Sequence, residues 1–427
     1  MKLSHVIATA LAVATAAPAF AEITLAGMVY RTGPYAVSGV PFSDGYADYI
    51  TLLNERDGGI NGVPLRLEEC EFGYNTDRGV ECYEELKSKG ALVFQPVSTG
   101  VTYQLIPRVH QDEVVLVTTG YGLTAASDGA QYPYVFNFPA HYWDAAIAQI
   151  KHLKEAAGGS LAGKTVMHMF HNSAYGKEPI PTLELLAQRE GFTLKMMPID
   201  HPGADQSAIW PQVEAANPDY ILLWGWGVMN REALKGALDI GFPMENMMGV
   251  WWSTNESDLK PFGRKVEGYK AVTFHAVGTD FQIYNELNDL VYFGGKARGH
   301  MNNLGEVLYN RGMASAIYAT EAIRKAMEIH GAGDLTGPQI RDGFENLSMD
   351  DAKFLELGME GFTPPMQITC DDHGGGGLVA VTQWSALDRS WKQITDYYAP
   401  DSALIEPQVA ALSAAFAEKI GLPRKGC

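Results

Sequence analysis

The sequence contains no run of lysine or arginine. Its charge is lopsided, with 32 basic residues against 50 acidic ones and a net charge of −18. A surface of that sign repels phosphate backbones and anionic lipid heads, so no nucleic-acid or acidic-membrane partner is expected. Past the first twenty residues no apolar stretch is long enough to cross a bilayer, so no direct membrane insertion is expected. Catalytic signatures are missing as well. There is no Gly-x-Ser-x-Gly elbow to expose a nucleophile. The four-glycine run Gly374–Gly377 lacks the Lys-Ser or Lys-Thr that a phosphate loop needs. Cys370, Asp371, Asp372 and His373 lie together, but their spacing fits no standard zinc pattern. These absences leave no nucleophile beside a base, no metal and no cofactor, and predict a binding protein rather than an enzyme.

Cysteine is scarce, with only Cys70, Cys82, Cys370 and Cys427. The N-terminus explains why even these four are expected to pair. Met1-Lys2 gives a short basic start, Val6 to Ala17 is apolar, and Ala19-Phe20-Ala21 fits a small-x-small cleavage site. The expectation is a signal peptide over residues 1–21, cleaved after Ala21, and a mature protein free in the periplasm. No cysteine stands at the cleavage point to take a lipid. That compartment permits disulfides, and four cysteines allow three pairings. Cys70 ends a strand-like run and Cys82 opens a helix-like run nearby, so Cys70–Cys82 is the natural pair. Cys370–Cys427 would then tether the C-terminus.

What is present is a regular alternation of strand and helix patterns. Ile23–Tyr30, Leu65–Glu68, Ala91–Pro96 and Val114–Thr118 read as short buried strands between amphipathic helices. The pattern restarts with strands at Lys164–Phe170, Phe192–Ile199, Tyr220–Trp224 and Met247–Trp252. The fold class predicted is α/β, with two doubly wound parallel-sheet lobes. Tyr309–His330 reads as a long core helix with an Ala and Met face. Pro364–Gln383 reads as a return strand interrupted by glycines.

A series of motifs lies along this frame. Thr32-Gly33-Pro34-Tyr35 is followed by Asn54-Glu55-Arg56-Asp57-Gly58-Gly59-Ile60-Asn61-Gly62. Then come Val97-Ser98-Thr99-Gly100, Thr118-Thr119-Gly120-Tyr121-Gly122, Ser173-Ala174-Tyr175-Gly176, and Asp371-Asp372-His373-Gly374 before Val381-Thr382-Gln383-Trp384. Their order and spacing from Ile23 to Trp391 resemble the leucine/isoleucine/valine-binding family of transporter solute receptors. The resemblance implies a type I periplasmic-binding fold with a three-crossover hinge near His141, Ala276 and Pro364. It implies lobe one over 22–141 plus 277–363 and lobe two over 142–276 plus 364–427. It also implies a monomer that holds a small molecule between its lobes and hands it to the membrane permease of an ABC transporter. A sensor of the same fold feeding a signalling receptor is the alternative use.

The same resemblance nominates ligand-binding residues. Ser98 and Thr99, at a helix N-terminus, suit a carboxylate. Gly120 and Tyr121 end the next strand, Tyr175 matches the cleft tyrosine, and Trp226 follows a strand of the second lobe. Arg31, in the first cleft turn, is placed to clamp a carboxylate in bidentate fashion. Trp251 falls where amino-acid binders of the family carry an acid for the ligand's ammonium. Tryptophan cannot take that role except weakly, through its ring face. The ligand expected is therefore a small organic carboxylate with an apolar or aromatic body, with a branched-chain or aromatic amino acid as the runner-up. Of each pair among Trp224, Trp226, Trp251 and Trp252, strand alternation turns only one toward the cleft.

Overall fold

The computed structural model describes residues 22–421 and Cys427; the leader and its cleavage site after Ala21 lie outside them. The first lobe opens with β1 (Ile23–Val29), α1 (Ala36–Asp57), β2 (Leu65–Glu71), α2 (Thr76–Ser88), β3 (Val93–Phe94), α3 (Thr99–Asp112), β4 (Val115–Val117) and β5 (Val135–Phe136). β1 pairs parallel with β2, and β4 runs parallel between β3 and β5. β1, β3, β4 and β5 are short and nearly all buried, which is why they read as uninterrupted apolar runs; β2, LRLEECE, is mostly half-buried.

The second lobe follows with α4 (Tyr142–Ala156), β6 (Thr165–His171), α5 (Ala174–Lys177), α6 (Ile180–Glu190), β7 (Thr193–Ile199), α7 (Trp210–Ala216), β8 (Tyr220–Trp224), α8 (Val228–Asp239), β9 (Met247–Gly249), α9 (Glu256–Leu259) and β10 (Lys270–Thr273). The chain then returns to the first lobe through α10 (Ile283–Glu286), α11 (Val307–His330), α12 (Gly337–Glu345), β11 (Ser348–Met349), α13 (Asp351–Glu356) and β12 (Met366–Gln367). It ends with β13 (Ala380–Ser385), β14 (Ser390–Gln393) and α14 (Ser402–Ile420). The second sheet has seven strands in the order β14-β13-β10-β9-β8-β6-β7, parallel except for the antiparallel β13 and β14. This is the predicted α/β architecture.

α11 is the spine of the first lobe. It is buried almost all round along its first five turns, as the Ala and Met pattern anticipated. Burying each large apolar side chain there contributes roughly 1.5–3 kcal/mol. α1 crosses it at contact distance. A Cβ on Gly45 would come within 2.0 Å of the Tyr309 carbonyl oxygen, and one on Gly312 within 1.9 Å of the Phe42 carbonyl oxygen. Only glycine at both positions allows that approach, and it sets Arg311, between them on α11, deep in the protein.

The chain passes between lobes at Pro139–His141 and at Phe274–Ala276. The third passage differs from the sequence reading. Met366 and Gln367 pair with Met349 and Ser348, and His373 exchanges backbone bonds with Ser127 and Asn137, all in the first lobe. The chain leaves only at the glycine run, where the Gly377 N–H donates to the Pro139 carbonyl at 3.0 Å. Pro364–Gln383 is thus two strands in two different sheets. The cysteines pair as Cys70–Cys82 and Cys370–Cys427, with Cα separations of 5.6 and 5.7 Å. α14 is not simply a cap of the second lobe. Its Asp401 binds Arg189 there, while its Ser413 carbonyl accepts from Tyr132 of the first lobe. No helix among the described residues is long and apolar enough to cross a membrane.

Candidate functional site

The lobes are closed on each other. The Tyr35 hydroxyl lies 2.7 Å from His171 Nε2 and 2.8 Å from His201 Nδ1. The Val228 N–H donates to the Pro34 carbonyl at 3.1 Å, and Asn255 Nδ2 to the Val37 carbonyl at 2.8 Å. Trp251 and Trp252 both donate their indole N–H to the Gly120 carbonyl, at 2.7 and 3.0 Å. Gly120 sits at φ +71°, and a Cβ there would come 2.6 Å from the Phe274 ring. The turn needs glycine for both reasons.

Between the lobes lies a narrow cavity, with room for about one water molecule in this closed arrangement. The first lobe contributes Tyr74, Val97, Ser98, Thr99 and Tyr121 to its walls; the second contributes Tyr142, Tyr175, Trp226 and Trp252. Ser98 caps α3, its hydroxyl accepting from the Val101 N–H at 3.4 Å. The Thr99 hydroxyl accepts from the Gly122 N–H at 3.3 Å and lies 3.5 Å from the Tyr142 hydroxyl. So capping and cavity lining coincide at this turn, and the first amides of α3 have no partner within the helix.

The tyrosine rings face the cavity, but two of the hydroxyls are engaged elsewhere. Tyr121 donates to the Val117 carbonyl and accepts from the Val97 N–H, both at 3.0 Å. Those bonds hold Val97 at φ +46°, a left-handed conformation that costs a β-branched residue on the order of 1–3 kcal/mol. The Tyr175 hydroxyl donates to the Gly225 carbonyl at 3.1 Å. Burial pushes the Tyr121 and Tyr175 hydroxyls well up, so both stay neutral at physiological pH.

Three nominated residues sit outside the cavity wall, Gly120 among them, whose carbonyl is taken by the two tryptophans. Trp251 does not line the cavity. It is fully buried, stacked on Tyr142 at 6.1 Å with 17° between the planes, and edge-on to Phe274. Its neighbour Trp252 takes the cavity face, packed edge-on to Trp226 and Tyr121. The expected strand alternation does not apply here: β9 ends at Gly249, and both tryptophans lie in the turn after it. In the other pair Trp224 is the inner one, its N–H bound to Gln149 Oε1 at 3.0 Å. Arg31 is also away from the cavity. Its guanidinium meets Asp44 at 2.6 Å and Glu69 at 2.7 Å, so two carboxylates of its own lobe hold it.

Sequence reasoning missed Tyr74, Tyr142 and Arg311. Tyr74 has φ +61°, which no pattern announces. Tyr142 is the first residue of α4 and belongs to none of the motifs read from the sequence. Arg311 read as one residue of a core helix. It is fully buried, and burial pulls its guanidinium down to about 9, still cationic at neutral pH.

An α/β clamp closed over an aromatic cavity is the architecture of a solute-binding protein of an ABC transporter. The chain belongs to the periplasmic binding protein family, whose model matches residues 22–389. A structure from the Pseudomonas fluorescens group described as an ABC transporter permease is 36% identical to it. The match covers 95% of this chain and 99% of that one, with a TM-score of 0.85. A branched chain amino acid ABC transporter from Thermus thermophilus with bound valine shares the fold at 20% identity, covering 91% of this chain and 99% of that one, TM-score 0.78. A solute binding protein from R. palustris in complex with benzoate shares it at 15% identity, covering 89% and 97%, TM-score 0.69. No curated protein sequence matches the chain.

Proposed function

We propose that the protein captures a small organic carboxylate with an apolar or aromatic body and delivers it to the permease of its transporter. In this reading residues 1–21 direct export and are removed after Ala21. The Ser98–Thr99 turn receives the carboxylate on amides at the start of α3, and Trp226, Trp252 and Tyr121 enclose the body. Trp251 acts from behind, fixing the Gly120 turn rather than touching the ligand.

The observation that carries the reading is the wall of the cavity. It supplies six aromatic side chains, the Ser98 and Thr99 hydroxyls, and no acidic side chain that would pair with an ammonium. Proteins of this fold have been solved with valine and with benzoate, so the fold does not choose between them; the acid-free aromatic lining supports the second kind of ligand. A thermal-shift screen of residues 22–427 tests it. A ligand that binds only the folded state raises the melting temperature with occupancy. Aromatic or short aliphatic acids are expected to shift it and amino acids are not. A shift with leucine or valine alone would overturn the reading that the site excludes amino acids.

A further inference from the structure

Every well-buried charge needs an account of what compensates it, since desolvating an ion is costly unless a partner stands beside it. Arg31, Arg56 and Arg324 each meet a carboxylate. Arg311, the most buried of the chain's arginines, does not. Its Nε donates to His275 Nε2 at 3.1 Å and one terminal nitrogen to the Trp251 carbonyl. The other terminal nitrogen, Nη2, has no hydrogen-bond partner. Both acceptors are neutral: burial, then Arg311 itself, pulls His275 down to about 3. The acid that acts on Arg311, Glu256, is not in ion-pair contact, and burial, then Glu306, pushes it up to about 8. Neutral donors would serve those two acceptors equally well. In the closed protein the guanidinium meets neutral acceptors and aromatic ring faces, and no carboxylate.

What lies beside it is the ligand site. The guanidinium carbon sits 4.9 Å from the Trp252 ring and 5.1 Å from the Phe274 ring. Trp252 lines the cavity, so the cation is one side chain away from the ligand space. Aromatic rings and buried backbone fill the region, and charges there are screened far less than at a surface.

We infer that Arg311 is the anion-selecting charge of this site: an unpaired cation behind Trp252 that makes the cavity favour a negatively charged ligand over its neutral isostere. The inference rests on the cavity being the ligand site. It adds a specificity residue that acts through the field rather than by contact. Its bonds to His275 and Trp251 tie α11 of the first lobe to the segment that carries Trp252.

The experiment compares matched acid and amide pairs, benzoate with benzamide and isobutyrate with isobutyramide, by calorimetric titration of residues 22–427. The wild-type protein should prefer the acid on the order of tenfold to a hundredfold. Arg311→Gln removes the charge and should level the preference; Arg311→Lys keeps it and should retain most of it. His275→Glu leaves Arg311 in place but gives it a carboxylate partner, and should level the preference by a different route. It decides the matter if Arg311→Gln does not fold. A folded Arg311→Gln or His275→Glu protein that keeps the wild-type preference overturns the inference while leaving the cavity reading intact. A wild-type protein that binds none of the four, or binds the amides as tightly as the acids, overturns the carboxylate reading and this inference with it.

Discussion

The Tyr35 hydroxyl of the first lobe lies 2.7 Å from Nε2 of His171 in the second, and His201 shares the same hydroxyl. His171 is held at both nitrogens, Nε2 by Tyr35 and Nδ1 by the Ser173 hydroxyl at 2.8 Å. Burial, then the nearby His201, pulls His171 down to about 4. The exposed ring titrates near 6.5. The open form therefore binds more protons, and closure weakens as pH falls from about 6.5 to about 4, with no change above that window. The limit is about 3 kcal/mol. Small-angle scattering of the unliganded protein from pH 7.5 to pH 4 should show the radius of gyration rising across that range. Tyr35→Phe should flatten the rise.

Glu256 predicts the opposite slope. Burial, then Glu306, raises it to about 8, so its neutral form is the one the fold accommodates. A group with a raised folded value loses its advantage as pH climbs through that value. Glu256→Gln preserves the oxygen that accepts from the Val307 N–H at 3.0 Å and removes the titration. Urea denaturation should find the variant near wild type at pH 5 and more stable by about 2 kcal/mol at pH 8. Equal effects at the two pH values would contradict the assignment.

The two adjacent tryptophans should separate cleanly. Trp252→Leu removes a cavity wall and should weaken ligand binding by at least about tenfold, with little loss of melting temperature beyond that of a buried aromatic. Trp251→Leu removes the stack on Tyr142 and a bond to Gly120. It should cost about 3 kcal/mol or more of stability while leaving the order of preference among ligands unchanged. Reversal of these two outcomes in paired titration and melting experiments would return Trp251 to the cavity.

Gly120→Ala introduces a methyl 2.6 Å from Phe274 at a left-handed φ. The expected cost is about 1–3 kcal/mol, felt by the closed form above all, since the clash is with second-lobe residues. Ligand affinity should fall more than the melting temperature of the unliganded protein. Equal falls would mean that the turn matters to the lobe rather than to closure.

Cys370–Cys427 fastens α14 across both lobes. Cys427→Ser should release it, and amide exchange in residues 402–420 should rise toward that of a free helix while β13 stays protected. Protection of α14 unchanged in the variant would show that the contacts of Asp401 and Ser413 suffice.

The local grammar of the fold was legible. The order of strands and helices, the Gly-Pro turn at Gly33-Pro34, the helix start at Ser98 and the long α11 all leave period or capping signals that do not depend on distant contacts. The third crossover was not. Met366–Gln367 and Ala380–Ser385 both look like strand, and nothing local says that one pairs with Ser348–Met349 and the other with β10. Trp251 and Trp252 illustrate the same limit. The strand was read through to Trp252, but β9 ends at Gly249 and the turn that follows sends both indole N–H groups to Gly120.

The sequence by itself determined the class: an exported-looking α/β chain with cleft motifs in a recognisable order, few charges in its strands and no catalytic constellation. Those features are local or compositional, and each is carried by residues near one another in the chain. Tertiary structure decided which side chains meet. It brought Gly120, Trp251 and Trp252 together from 131 and 132 positions apart, and set Arg311 against Trp252 and His275 with no carboxylate beside it. It also left Arg31, the arginine that looked the part, bound to Asp44 and Glu69. The reason is that the energy of a charge depends on what desolvates and compensates it, and both are supplied by segments remote in sequence.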